Sequence, residues 1–199
     1  DRVTRRTGGV NQAQDLACLS GMQYLHGRTI DYQGGMYGNA VLSRLPVNGF
    51  ANRALPFTPG REARGVLQVH VYSGLTEAGN TLFRFFATHL DTSEADRLKA
   101  VPAILEFAAE EPALPSILAG DLNALPDSAP MKLLAEGCAG EFHPTYPAAA
   151  PDRQIDFILY RPADRWRVVE VKVLEESVAS DHRPILAVFE LLPPAQPPK

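Results

Sequence analysis

Pro115-Ser116-Ile117-Leu118-Ala119-Gly120-Asp121-Leu122-Asn123-Ala124 is an apolar run that ends abruptly in polar residues. Its first half reads as a short buried strand, its second as the loop that the strand feeds. Asp121 and Asn123 stand two apart, so on extended backbone both side chains point to the same side. A carboxylate beside a carboxamide can orient a water and hold an anionic oxygen. Gly, Asp and Asn are also common turn residues. Taken alone, the segment reads equally as a turn and as a site.

Working outward, residues 82–90 (LFRFFATHL) are almost continuously apolar and predict a central strand covered on both faces. Between the two runs, TSEADRLKAVPAILEFAAEE places Leu98, Val101, Leu105 and Ala108 near helical spacing, with Ser93 as the cap. Pro102 is expected to break or kink this helix. Upstream, RGVLQVHVYS alternates Leu67, Val69 and Val71 with Gln68, His70 and Tyr72, a half-buried strand. NAVLSR, before Pro46, is a further strand, and a helix near 10–20 has Asn11 as N-cap and Gly21 after its end. Downstream, QIDFILY, WRVVEVKVL and PILAVFELL read as three strands. The total is seven strands with two or three helices. Helices flank the middle strands but not the last ones, which suits a layered α/β sandwich with antiparallel pairing. One domain is expected over 1–192, and then a Pro-rich tail at 193–199.

Apolar residues make up 45% of the 199, enough for a substantial core and too many for a disordered chain. The net charge of −4 makes a poor non-specific polyanion binder, and no basic arm or helix offers itself to a nucleic-acid groove. No apolar run approaches the roughly 18 residues of a membrane span. Cys18 and Cys138 are too far apart to form a metal-ligand motif and read as two free, buried thiols.

Three more polar clusters sit at the ends of apolar runs, where sites are commonly built. Thr88-His89-Leu90-Asp91 closes the most hydrophobic strand, so His89 reads either as a satisfied core residue or as a donor at a site. In Gln154-Ile155-Asp156-Phe157 the lone carboxylate among apolar neighbours needs a partner. In Ser180-Asp181-His182-Arg183-Pro184 adjacent side chains point apart. Asp181 is thereby free to ligate a hard cation while His182 faces the substrate and Asp156 orients it. The set holds no thiolate ligand and no Gly-x-Ser-x-Gly elbow. Oxygen ligands favour Mg²⁺ or Mn²⁺ over Zn²⁺. The chemistry expected is metal-assisted attack of water on a phosphate ester.

These four clusters, in this order, resemble the endonuclease/exonuclease/phosphatase superfamily, the DNase I-like metal-dependent phosphoesterases, over essentially the whole chain. Tyr37-Gly38-Asn39-Ala40-Val41-Leu42-Ser43-Arg44 looks like the strand before that family's first long loop. Arg61-Glu62-Ala63-Arg64-Gly65 looks like its Arg-bearing strand entry. The resemblance implies a four-layer sandwich of two face-to-face mixed β-sheets flanked by helices. It implies catalytic roles for His89, Asp121, Asn123, Asp156 and His182, metal binding by Asp181, and phosphate or substrate contacts from Arg61, Arg64, Tyr37 and Asn39. His182, held by Asp156, would be the general base or a cation on the phosphate. Asp121 and Asn123 would position the attacking water and a phosphate oxygen, and either His182 or Asp121 would take the proton. The substrate would be a phosphate ester, with a small phosphodiester or phospholipid headgroup favoured over bulk DNA, and the complete protein a monomer. The alternative is a catalytically inert fragment or interaction module of the same fold.

One departure stands out. The family's early Asn and its Leu-Gln-Glu segment, whose Glu is the principal metal ligand, have no counterpart here. Asp1-Arg2-Val3-Thr4-Arg5-Arg6-Thr7-Gly8-Gly9 looks like the stretch that lies just C-terminal to that Glu in relatives. A preceding stretch of some tens of residues with two core strands is therefore expected. Without it the chain should fold poorly or associate, and bind Mg²⁺ weakly.

Overall fold

In the computed structural model, which describes residues 1–76 and 79–194, the chain enters through α1 (Gln12–Ser20). Asn11 caps it by accepting from the Gln14 amide, and Gly21 closes it at φ 65°. A hairpin comes next, β1 (Gln23–Tyr32) and β2 (Gly35–Ser43). Its two-residue turn has positive φ at both Gln33 and Gly34, which matches the twist of the flanking strands. Then come β3 (Val47–Ala54), β4 (Gly65–Thr76) and β5 (Gly79–His89). Next are α2 (Glu94–Ala109), β6 (Ser116–Asp121), α3 (Ala129–Ala135), β7 (Asp156–Arg161), β8 (Trp166–Val173) and β9 (Ile185–Leu191).

Strands β3 to β7 pair in sequence order into one mixed sheet. Only β5 and β6 run parallel, because α2 carries the chain back between them. As expected for its apolar run, β5 is central. Phe86 packs beneath α2 and α3 with Leu90, Val101, Ile104, Leu118 and Leu134. On the opposite face, Val41 of the β1–β2 hairpin meets Leu67, Val69 and Val71. Trp166 and Leu191 of the β8–β9 pair meet Ile117 there too. Helix α1 covers the hairpin through Ala13 and Ala17. The expected layering is present. Among the described residues, however, the second β layer is two separate antiparallel pairs rather than one mixed sheet.

Other expectations need correcting. There are nine strands among the described residues, not seven; β1 and β3 were not foreseen. Pro102 does not break α2, which runs through it. The ring lies on the exposed side, so water can take up the carbonyl that loses its partner. Alternation in WRVVEVKVL would set Val169, Val171 and Val173 on one face, but the β8 register shifts between Val168 and Glu170 and Val169 is turned out to solvent. Cys18 is exposed and only Cys138 is partly buried, though both are free. Most of the expected Pro-rich tail, 195–199, lies outside the described residues.

Two buried charges tie α2 to the sheet. Arg84 of β5 is 1% exposed and caps the last turn of the helix. It donates through Nη1 to the Phe107 carbonyl at 3.0 Å and through Nη2 to those of Ala108 (2.5 Å) and Glu111 (3.0 Å). At the other end, Asp96 accepts from the Thr58 amide (2.7 Å) and hydroxyl (2.6 Å), fastening the 55–64 loop to the first turn of α2. The Thr58 hydroxyl bond outweighs burial. With the Thr58 amide, Ser93 and Lys99 it holds the Asp96 carboxyl down to about 2, below its ordinary 3.8. A carboxyl lowered on folding stabilises the native state fully above 3.8 and ceases to do so as pH falls towards 2. Asp96→Asn mimics the protonated acid. It should melt below wild type at pH 7, and thermal melts should show the gap closing between pH 4 and 2. A gap constant across that window would contradict this account.

Candidate active site

Strand register assembles the centre of the site. His89 at the end of β5 pairs with Asp121 at the end of β6, and Asp121 pairs with Asp156 at the start of β7. Three polar groups are thereby aligned across adjacent strands. Gly120 makes the β5–β6 approach possible, since a Cβ there would lie 1.8 Å from the Thr88 carbonyl oxygen. Beyond Asp121 the backbone turns, with Asn123 at φ 48°. Asp121 Oδ1 accepts from the Asn123 amide at 2.8 Å, and Asn123 Nδ2 donates to the Leu90 carbonyl at 2.9 Å. The segment is thus a turn, and the turn holds the two side chains next to His89 and Asp156.

The 180–184 segment arrives from the β8–β9 layer. His182 Nδ1 donates to Asp156 Oδ2 at 2.8 Å. The same oxygen accepts from Thr145 Oγ1 at 2.6 Å. Backbone bonds join the two loops: Arg183 N to the Thr145 carbonyl and Ala148 N to the Asp181 carbonyl, each 2.8 Å. Arg183 Nε adds a bond to the Ala148 carbonyl at 2.6 Å. The Tyr146 ring packs 4.9 Å from the His182 ring. Fully buried Thr145 and the neighbouring Tyr146 were not foreseen, because the irregular 139–155 loop has no hydrophobic period to read.

Environment separates the two histidines. Burial, aided by the charges of Arg64 and His182, pushes the His89 imidazole down to about 4, so it is neutral at pH 7. Tyr37 Oη lies 2.8 Å from His89 Nδ1, and Nε2 is 3.4 Å from Asp121 Oδ2. A Tyr37 hydroxyl donating to Nδ1 leaves the proton on Nε2, beside Asp121. Burial also works against the His182 imidazolium. The Asp156 bond and charge, with the charges of Asp121 and Asp181, outweigh it and raise this histidine above its ordinary value. Burial raises the Asp121 carboxyl as well.

The remaining expected residues divide. Tyr37 reaches the site through His89. Arg64 is mostly buried, and its charge is felt by both His89 and Asp121. Arg61 is instead ion-paired with Asp91 and Asp96, and Asn39 Nδ2 donates to the Gly65 carbonyl at 2.8 Å. Both are engaged in holding the 61–65 entry. Asp121, Asp156 and His182 bring ligand atoms within 4.8 Å of one another, but Asp181 is not in that group. It lines an adjoining cavity of about 500 Å³, together with His182 and Asn123. The donor set fits a hard cation. Mg²⁺ is commonly held by one or two carboxylates, with water and substrate phosphate completing its shell. Among the described residues Asp156 Oδ1 accepts no hydrogen bond, and Asp121 Oδ2 lies 3.4 Å from His89 Nε2.

Comparison with known proteins places the chain in a family and its fold among solved structures. Residues 7–182 match the profile of the family described as Endonuclease/Exonuclease/phosphatase. The uncharacterized protein YbhP of Escherichia coli (strain K12) is 29% identical over 185 residues, covering 88% of this chain and 72% of its own. A functionally unknown conserved protein from Enterococcus faecalis V583 superposes with a TM-score of 0.74 at 23% identity, covering 90% of this chain and 81% of the other. A mannosyl-6-phosphatase from Bacteroides thetaiotaomicron superposes with a TM-score of 0.75 at 19% identity, with the same coverage.

Proposed function

Because the chain belongs to the endonuclease/exonuclease/phosphatase family, we propose that it is a hydrolase of phosphate esters that works with a bound divalent cation, Mg²⁺ or Mn²⁺. The observation that carries this reading is the Asp156–His182 pair standing beside Asp121 and Asn123 at three aligned strand ends. Asp121 and Asp156 would hold the cation, which when bound lends positive charge to the phosphate oxygens. His182 has Nδ1 committed to Asp156, which leaves Nε2 to take a proton from the attacking water. Asp156 stabilises the imidazolium so formed, and Thr145 keeps that carboxylate in place. Neutral His89 and the second N–H of Asn123 donate to phosphate oxygens. The water oxygen bonds to phosphorus as the ester P–O bond breaks. The ester oxygen leaves with the bonding pair and takes up a proton. The test is release of p-nitrophenol from p-nitrophenyl and bis-p-nitrophenyl phosphate by the full-length protein with Mg²⁺. Turnover should stop with EDTA and return with added Mg²⁺. No turnover of either ester with Mg²⁺ or Mn²⁺ would overturn the reading.

A further inference from the structure

Beside His182 and Asn123 opens the cavity of about 500 Å³, a size suited to a small molecule. Its lining is polar. Among it only Leu125 and Ile155 are sizeable apolar residues, too few to receive a lipid chain. Arg97 is 8% exposed, and it donates through Nη1 to the Asp91 carbonyl at 2.9 Å. Its buried Nε has no partner. The carboxylates of Glu94, Asp91 and Asp121 favour its charge, but among the described residues none accepts from Nε, and a bound hydroxyl would supply that acceptor. Glu94, Asp127 and Tyr146 also line the cavity, and among the described residues none hydrogen-bonds to their side-chain oxygens. Arg153 is held through Nε by Asp152 at 3.2 Å, which leaves its Nη groups available.

This mixture decides among ligands. A second phosphate, as on a nucleic-acid strand, would meet the Glu94 and Asp127 carboxylates. A nucleobase needs an open aromatic face. The Tyr146 ring is already packed by the Arg153 guanidinium at 4.8 Å and by His182 at 4.9 Å. Hydroxyl groups both donate and accept, so they suit carboxylates, guanidinium groups and a phenol lying together. We propose that this cavity binds the polyhydroxylated leaving group of a sugar or polyol phosphate. Glu94 and Asp127 accept from its hydroxyls, while Arg97 and Arg153 donate to them. The proposal rests on the phosphoesterase reading and adds the identity of the group released.

The experiment sets hexose 6-phosphates and glycerol 3-phosphate against a mononucleotide and p-nitrophenyl phosphate, using the full-length protein with Mg²⁺. Wild type should prefer a sugar or polyol phosphate to the mononucleotide about tenfold or more in kcat/KM. Asp127→Ala and Arg153→Ala change exposed loop side chains that no core packing needs. Each should lower the ratio of kcat/KM for the sugar phosphate over p-nitrophenyl phosphate about tenfold, mainly through KM. A preference for the mononucleotide, or a ratio unmoved in both variants, overturns the proposal while p-nitrophenyl phosphate turnover keeps the phosphoesterase reading intact. Absence of turnover on every ester overturns both.

Discussion

Alanine in place of His182 is expected to lower kcat/KM on bis-p-nitrophenyl phosphate by about 10³-fold, within the range that positioned acid–base groups contribute. The size stems from the work of this side chain in the fold. It combines a raised basicity, a half-buried carboxylate partner and a ring nitrogen left free for the reacting water. The loss should fall on kcat and not only on KM, because the proposed base would act on the transition state. The folded state should survive, since the His182 side chain is 25% exposed and the backbone bonds of Asp181 and Arg183 remain. Near-UV and far-UV circular dichroism indistinguishable from wild type would confirm that the comparison is of like folds. Equal rates for the two proteins would defeat the assignment.

The largest effect on stability is expected from Arg84→Met. Methionine keeps most of the buried volume but removes the donors to three carbonyls at the end of α2. Each buried acceptor left unpaired costs about 1–3 kcal/mol. Water can reach the Glu111 side of the cluster, so the total is set at about 3 kcal/mol. For a chain of this size that lowers Tm by on the order of 10 °C. A thermal melt within about 2 °C of wild type would mean that the helix end is satisfied without the guanidinium. The neighbouring Arg53–Glu110 pair, with Arg53 3.8 Å above the Phe107 ring, is exposed enough to contribute far less.

The strands that build the site are the ones the amino-acid order announces. In β5, β6 and β7 a largely apolar run meets a polar cluster at the strand end that reaches the site, although β5 also carries the buried charge of Arg84 in its middle. The two strands that escape notice lie elsewhere. Strand β3 is an edge, paired only with β4, and its run Val-Asn-Gly-Phe-Ala-Asn-Arg-Ala has little need of an apolar face. Strand β1 carries Gly27 and Arg28 in its middle and is held by the hairpin turn rather than by alternation. At the site, the polar ends of apolar runs single out His89, Asp121, Asn123, Asp156 and His182, which the fold brings side by side, and the family resemblance supplies the roles proposed for them. No such signal marks Thr145, Tyr146 or Arg97. Their roles arise from contacts between distant segments, and each alone looks like an ordinary loop or helix residue. For Arg61 the resemblance implies a phosphate contact, whereas in the fold two carboxylates of the α2 entry engage it.

The seam between residues 145–148 and 181–183 has a consequence for redesign. One of the joined loops shapes the wall of the cavity beside the reacting centre. The other carries His182, the proposed base. Three bonds, two of them between backbones, make them a single mechanical part, and Thr145 and His182 share the Asp156 carboxylate. A graft that imports only the wall loop from a relative would therefore bring a foreign seam and misplace His182. Transplanting a new preference onto this scaffold means exchanging both loops as one cassette, with residue 145 kept as a hydroxyl.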